Sequence, residues 1–132
     1  MLNDLYKVAV YGTLRKGNGN NVLLSNSKMV GTVFTAPNYQ MFSLGGFPGI
    51  RSGNKRVLVE VYEVDDATLS RLDRLEGYRG EGESNFYERE LIETALGTTY
   101  IYTLDDDRYD KCPTIESGNW NEHKEVRLKD LI

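Results

Sequence analysis

One helical segment stands among six or more strand-like segments, and this imbalance limits the folds open to the chain. Residues 67–76 place Leu69, Leu72 and Leu75 at helical spacing, with an N-cap at Asp65-Asp66 and a stop at Gly77. The strand-like segments are residues 6–11, 29–35, 39–44, 56–64, 86–94 and 98–104. Because each parallel strand pair needs a crossover connection, usually a helix, a single helix argues against a doubly wound α/β sheet. We therefore predict an α+β fold, a small mixed β-barrel with a few peripheral helices.

Local signals set expectations for the other segments. Residues 56–64 carry apolar side chains on both faces, which predicts a central strand. Residues 45–49, Gly-Gly-Phe-Pro-Gly, fit neither a regular helix nor a central strand, so we expect a turn or the wall of a site. Residues 95–97, Ala-Leu-Gly, predict a three-residue connection in an antiparallel hairpin. From about residue 121 we expect either a short charged helix or a mobile tail.

Length and charge narrow the class of protein. The 132 residues correspond to one domain, 1–132, and 39% hydrophobic residues are enough for a core. Sixteen basic and twenty acidic residues give a net charge of −4, and no basic cluster is present, so we expect no nucleic-acid partner. No stretch reaches the roughly 18 apolar residues of a membrane span, and the N-terminus lacks an apolar signal region. These features predict a cytoplasmic protein that does not bind a membrane.

Several common chemistries lack the residues that they need. Cys112 and His123 are the only cysteine and histidine, so neither an internal disulfide nor a zinc site is expected. Residues 17–22 begin like a dinucleotide-binding fingerprint, but Val22 replaces the third glycine. A serine-hydrolase elbow at Ser43 would need glycine at position 41, where methionine stands. The sequence therefore favours a reaction that needs no metal and no Ser–His or Cys–His pair.

One carboxylate lies on the apolar side of the predicted helix. At about 100° per residue, Glu76 falls within about 40° of the stripe centred on Leu72, and it is the only charged residue on that side. Burial and the negative end of the helix dipole would both raise its pKa, as a general base working near neutral pH requires. The alternative is a residue at a fraying helix end that points to solvent because Gly77 ends the helix.

Five short motifs, in this order along the chain, resemble the γ-glutamylcyclotransferase-like family, which includes γ-glutamylamine cyclotransferases. The resemblance extends over residues 6 to 120 and is closest to small bacterial members. It implies a small mixed β-barrel with a few helices, the fold expected from the strand count. The motifs are Val-Ala-Val-Tyr-Gly-Thr-Leu-Arg at 8–15, Phe-Pro-Gly at 47–49, Val-Glu-Val-Tyr at 59–62, Leu-Asp-Arg-Leu-Glu-Gly at 72–77 and Tyr-Glu-Arg at 87–89.

The resemblance also implies an activity and a set of site residues. The family's catalytic glutamate falls on Glu76, and its pocket tyrosine on Tyr102, with Tyr100 as the other match on the same strand face. Members cyclise a γ-glutamyl amine, amide or isopeptide to 5-oxoproline and free amine, by intramolecular aminoacyl transfer without a cofactor. The implied partner is thus a small γ-glutamyl molecule, and we expect a monomer or weak homodimer. The family's substrate loop falls on Tyr11, Gly12, Thr13 and Leu14.

Other interpretations of these residues remain open at this point. Tyr11 and Tyr102 are also compatible with ordinary core positions, and Gly12 with a simple turn. Arg15 and Arg89 are expected to pair with acids rather than to bind substrate. A non-catalytic ligand-binding or regulatory member of the same fold is the alternative to an enzyme. Residues 79–85 are expected to overhang the pocket and to influence substrate choice.

Overall fold

The computed structural model describes residues 4–130. Residues 1–3 and 131–132 lie outside the described residues; they are the ends of the predicted 1–132 domain and part of the N-terminal segment used for the signal-peptide expectation. In chain order the elements are β1 (Tyr6–Val10), a 3₁₀ helix (Gly19–Leu24), β2 (Lys28–Phe34), β3 (Tyr39–Ser43), β4 (Pro48–Ser52), β5 (Leu58–Val64), α1 (Asp66–Glu76), β6 (Glu88–Thr94), β7 (Gly97–Thr103), β8 (Thr114–Ile115) and α2 (Trp120–Asp130).

The strands form two sheets. The larger has five strands in the order β2-β5-β1-β7-β6, and the smaller has three in the order β4-β3-β8. All neighbouring strands are antiparallel except β1 and β7, where Val8 is level with Tyr100 and Ala9 with Ile101. The α+β class and the mixed sheet are confirmed, and β5 is an inner strand as predicted.

The inner strands of the larger sheet are buried on both faces. On β1, Val8 and Val10 pack with Leu72 of α1, whereas Ala9 packs on the opposite face. That second face is covered by the smaller sheet and by Trp120. Burial on both faces explains why the inner strands have near-continuous apolar sequences instead of alternating ones.

Helix α1 follows its sequence signals at both ends. The Asp65 carboxylate accepts a hydrogen bond from the Thr68 N–H at 2.8 Å, which lowers the pKa of Asp65. Gly77 ends the helix in the left-handed region, at φ 69° and ψ 34°. Leu69 and Leu72 are buried, but Leu75 is exposed. The predicted apolar stripe is therefore wrong in its last turn, because that turn lies over a cavity rather than over the sheet.

Three other expectations are revised and one is settled. The two sheets do not close into a barrel: β2 and β6 are the outer strands of one sheet, and in the described chain they do not pair with each other. The hairpin connection has two residues rather than three, since Thr94 pairs with Gly97. Residues 45–49 are only partly irregular, because β4 begins at Pro48, at an edge where a missing N–H is tolerated. Of the two alternatives for the C-terminal segment, the helix is confirmed: α2 begins at Trp120.

None of the helices in residues 4–130 has the length and apolar character needed to cross a membrane.

Candidate active site

A cavity of about 420 Å³ opens between the C-terminal end of β1 and the last turn of α1. All six residues that the sequence analysis selected line it: Tyr11, Gly12, Thr13, Leu14, Glu76 and Tyr102. The alternative match, Tyr100, does not line the cavity but packs in the core beside α1. The other lining residues are Ala9, Val10, Asn20, Gly46, Phe47, Pro48, Leu75, Gly77, Phe86 and Tyr87.

Glu76 is the only lining residue with an ionisable carboxylate or a basic side chain. Its side chain is partly buried, and burial raises its pKa from the usual 4.5 to about 7. No donor among residues 4–128, whose side chains the structure describes, hydrogen-bonds to the carboxylate. The acid on the apolar helix side thus faces the cavity instead of bulk solvent, and at neutral pH it is able to accept and release a proton.

Three tyrosines surround this carboxylate, and each hydroxyl donates its hydrogen to another protein group. Tyr11 donates to the backbone carbonyl of Tyr102 at 2.8 Å, and Tyr87 to that of Pro48 at 2.5 Å. Tyr102 donates to the Asp73 carboxylate at 2.7 Å. Burial, and to a smaller extent the nearby charge of Glu76, raise the pKa of all three tyrosines, so they stay neutral. Only the oxygen lone pairs of these hydroxyls remain to interact with a ligand.

The turn after β1 lines the same cavity and has free backbone donors. Within residues 4–130 the N–H groups of Gly12, Thr13 and Leu14 donate to no acceptor, whereas their carbonyls accept hydrogen bonds from Arg15, from Asn20 and from Asn21 respectively. A Cβ at Gly12 would lie 2.7 Å from Cδ of Pro48, so glycine permits close packing of this turn against the β4 wall. The cavity lining thus includes residues with free N–H donors and residues with oxygen acceptors, a combination that suits a zwitterionic ligand.

Two arginines lie outside the cavity and pair with acids, as expected. Arg89 contacts Asp73 at 2.6 Å and lies over the Tyr100 ring, with its guanidinium carbon 4.3 Å from the ring centroid. Arg15 contacts Glu60 at 2.8 Å, with both side chains buried. The partner acids, Glu60 and Asp73, are 5% and 20% exposed, so these pairs are more buried than the surface pairs that were expected. Arg89 supports the site indirectly, because it holds the carboxylate that orients the hydroxyl of Tyr102.

The segment 79–85 differs from its prediction. Asn85 closes the segment on itself by accepting from the Arg79 N–H and donating to the Gly80 carbonyl. None of residues 79–85 lines the cavity; the flanking residues Gly77 and Phe86 do.

Three further lining residues, Tyr87, Phe47 and Phe86, were not predicted from the sequence. Tyr87 stands in a quoted motif, but nothing in the sequence indicates that its hydroxyl reaches the carbonyl of Pro48, 39 residues earlier. The two phenylalanines lie in short segments without regular periodicity, at 45–47 and 84–87. For Phe47 the glycines and proline of residues 45–49 indicated a turn or a site wall, whereas Phe86 was expected at the start of a strand.

Comparisons with known proteins agree with this geometry. The family described as gamma-glutamyl cyclotransferase, AIG2-like, matches residues 8–122. The chain is 40% identical over 114 residues to the gamma-glutamylcyclotransferase family protein YtfP of Escherichia coli K12, a match that covers 86% of this chain and 95% of the relative. It is 36% identical over 104 residues to the gamma-L-glutamyl-butirosin B gamma-glutamyl cyclotransferase of Niallia circulans, covering 74% of this chain and 67% of that one.

Solved structures give the same result. The solution structure of ytfP from Escherichia coli superposes with a TM-score of 0.68 at 38% identity, covering 89% of this chain and 98% of that chain. The crystal structure of PH0828 from Pyrococcus horikoshii superposes with a TM-score of 0.77 at 27% identity, covering 94% and 97%. Sequence motifs, cavity and relatives together identify the chain as a member of the gamma-glutamyl cyclotransferase, AIG2-like family.

Proposed function

We propose that this protein is a γ-glutamyl cyclotransferase that converts a γ-glutamyl amine, amide or isopeptide into 5-oxoproline and a free amine, with Glu76 as the general acid and base. The observation that carries the proposal is a carboxylate with a pKa of about 7, without a hydrogen-bond donor in the described chain, that faces a cavity. Such a group is half protonated near neutral pH, where it is able to take a proton and return it. The Niallia circulans relative is named for a reaction of this class.

In the proposed reaction the substrate supplies its own nucleophile. Glu76 removes a proton from the α-ammonium group, and the α-nitrogen attacks the γ-carbonyl carbon to form the new C–N bond of a five-membered lactam. The original C–N bond to the amine then breaks, and the departing nitrogen receives two protons, the one held by Glu76 and the one that the attack leaves on the α-nitrogen, so the amine departs as an ammonium ion. Atoms and charge balance without water, an oxidant or a metal. Holding the chain bent contributes up to roughly 7 to 11 kcal/mol of barrier lowering.

The oxygen acceptors and the free N–H donors of the lining residues suit the two ends of this substrate. The α-ammonium group is matched by Glu76 and by the lone pairs of Tyr11, Tyr87 and Tyr102, whose hydrogens are donated elsewhere. The free N–H groups of residues 12–14 match the substrate carboxylate or the oxyanion that develops on the γ-carbonyl. This arrangement brings the α-nitrogen and the proton acceptor to the same side.

The test is mass-spectrometric detection of 5-oxoproline after incubation with γ-glutamyl amino acids, γ-glutamyl amines and ε-(γ-glutamyl)lysine. Wild type is expected to release 5-oxoproline, and Glu76→Gln to lose about 100-fold or more of kcat while it keeps its fold. The wild-type kcat/KM should rise with pH through about 7, as Glu76 loses its proton. Equal rates for the two proteins would refute the role of Glu76. Ligand binding without product in wild type would favour a binding or regulatory protein instead.

A further inference from the structure

Three large apolar side chains are exposed at the mouth of the cavity. Phe47, Leu75 and Phe86, here called the apolar rim, line the cavity and are 38%, 42% and 37% exposed. The rings of Phe47 and Phe86 meet edge to face, with centroids 6.0 Å apart. This ring contact connects the segment before β4, next to Pro48, with the segment that hydrogen-bonds to Gly77 at the end of α1. Apolar surface gathered around the opening of a cavity is typical of a ligand-binding surface.

The charges of the cavity lining disfavour a ligand carboxylate at this opening. No lysine, arginine or histidine of residues 4–128, the residues whose side chains the structure describes, lines the cavity, and among them the carboxylate of Glu76 is its one charged group. A γ-glutamyl dipeptide would bring the carboxylate of its second residue to the rim. There that carboxylate would contact apolar side chains, find no cationic partner among the lining residues and repel ionised Glu76.

We propose that the apolar rim selects a leaving amine that bears an apolar or aromatic group and no carboxylate. The inference rests on the proposed function: the glutamyl part occupies the polar interior, between Glu76 and the 12–14 turn, and the amine that departs extends through the rim. Phe47 and Phe86 contact the apolar group of that amine, and Leu75 completes the surface beside Glu76. The rim thus acts on specificity and takes no part in proton transfer.

The experiment compares three substrates that differ only in the leaving amine. γ-Glutamyl-phenethylamine has the favoured aromatic group, γ-glutamyl-phenylalanine adds a carboxylate to it, and γ-glutamyl-methylamine lacks the ring. We expect kcat/KM for the phenethylamine substrate to exceed each of the others by about tenfold or more. In Phe47→Ala and Phe86→Ala the ratio of kcat/KM for phenethylamine over methylamine should fall about fivefold or more.

One variant serves as a control, and a second variant tests the missing cation. Phe34→Ala removes a phenylalanine that is 49% exposed on β2 and does not line the cavity, so it should keep the wild-type ratio. Phe47→Arg supplies the missing cation, and we expect it to raise the relative rate on γ-glutamyl-phenylalanine.

Failure of the inference and failure of the proposed function give different results. If 5-oxoproline forms but the three substrates react equally well, or the ratio is unchanged in both alanine variants, the inference is overturned and the proposed function stands. If neither these three substrates nor the wider panel, which includes ε-(γ-glutamyl)lysine, gives 5-oxoproline, the proposed function fails, and calorimetric binding of the three compounds then decides the inference. Preferential binding of the phenethylamine compound would support it, and equal or absent binding would overturn it.

Discussion

At the scale of single residues, Glu76 couples function to stability. Its pKa of about 7 in the folded chain exceeds the value of 4.5 for an ordinary glutamate. The folded state therefore disfavours the ionised form, and this cost is absent at low pH, grows as pH rises from about 4.5 to 7, and is constant above that. A group kept for stability alone would not be placed there.

Glu76→Gln is expected to stabilise the protein at pH 8 by about 1 to 3 kcal/mol, because it removes the carboxylate that burial penalises. Near pH 4 the two proteins should be equally stable, since glutamate is largely protonated in both states. Urea unfolding at the two pH values measures the difference. A gain that is the same at both pH values would contradict the raised pKa.

Variants of Tyr102 and Tyr100 test whether only the tyrosine that lines the cavity affects substrate binding. Tyr102→Phe removes the hydroxyl that donates to Asp73 and faces the cavity, so we expect KM for a γ-glutamyl amine to rise about tenfold. Tyr100→Phe keeps the ring under Arg89 and should leave KM within about twofold, because Tyr100 does not line the cavity. Steady-state kinetics of both variants checks this, and equal effects would remove Tyr102 from the proposed site.

At the scale of elements, the site lies where three segments end or turn. Strand β1 stops at Val10 and releases the 12–14 turn, α1 stops at Gly77 directly after Glu76, and β4 starts at Pro48. Each of these boundaries has a local cause. A glycine follows β1, a glycine in the left-handed region ends α1, and a proline begins the edge strand β4. Residues at all three boundaries line the same cavity.

Gly12→Ala should damage this junction. The new methyl would lie 2.7 and 2.8 Å from two carbons of Pro48, which forces the turn and the β4 wall apart. We expect a loss of about 1 to 3 kcal/mol in unfolding free energy and a lower kcat/KM. Gly19→Ala is the matched control, because its Cβ meets nothing within 4 Å, and it should change stability by less than about 0.5 kcal/mol. Thermal unfolding and kinetics of both variants provide the test; wild-type behaviour of Gly12→Ala would contradict the close packing.

At the scale of the whole molecule, one buried network ties the site turn to distant parts of the chain. Glu60 on β5 accepts from the Arg15 side chain at 2.8 Å, from the Lys16 N–H at 2.7 Å and from Tyr62 at 3.1 Å. Arg15 also donates to Asn119, just before α2, at 2.9 Å. The network fixes the 12–16 turn against the larger sheet and the C-terminal helix, and so fixes one side of the cavity.

Breaking this network should be costly. Arg15→Met leaves the carboxylate of Glu60 buried without its cation, and we expect a loss of about 3 to 5 kcal/mol. The double variant Arg15→Met/Glu60→Leu removes both charges and should recover part of that loss. Lys55→Met breaks the exposed pair with Glu116 and should cost less than about 1 kcal/mol. Equilibrium unfolding of the three variants measures these values, and equal losses for the two single variants would mean that burial does not strengthen the Arg15 pair.

The sequence by itself determined the parts of this protein that depend on neighbours along the chain. The limits of α1 follow from Asp65 and Gly77, the inner strands follow from their apolar runs, and helical periodicity is enough to put Glu76 on the side of Leu72. The motif at 8–15 was sufficient to select the turn at Gly12. Each of these features is fixed by backbone conformation or side-chain periodicity within about ten residues.

Only the tertiary structure decided which segments meet. Two sheets instead of a closed barrel, the exposure of Leu75, and the distance of residues 79–85 from the cavity depend on strand pairings and contacts between residues far apart in the chain. The same holds for the partners of the three tyrosine hydroxyls and for the rim formed by Phe47 and Phe86. Periodicity states which face of an element is apolar, but it carries no information on what that face packs against, and the chemistry of this cavity depends on that packing.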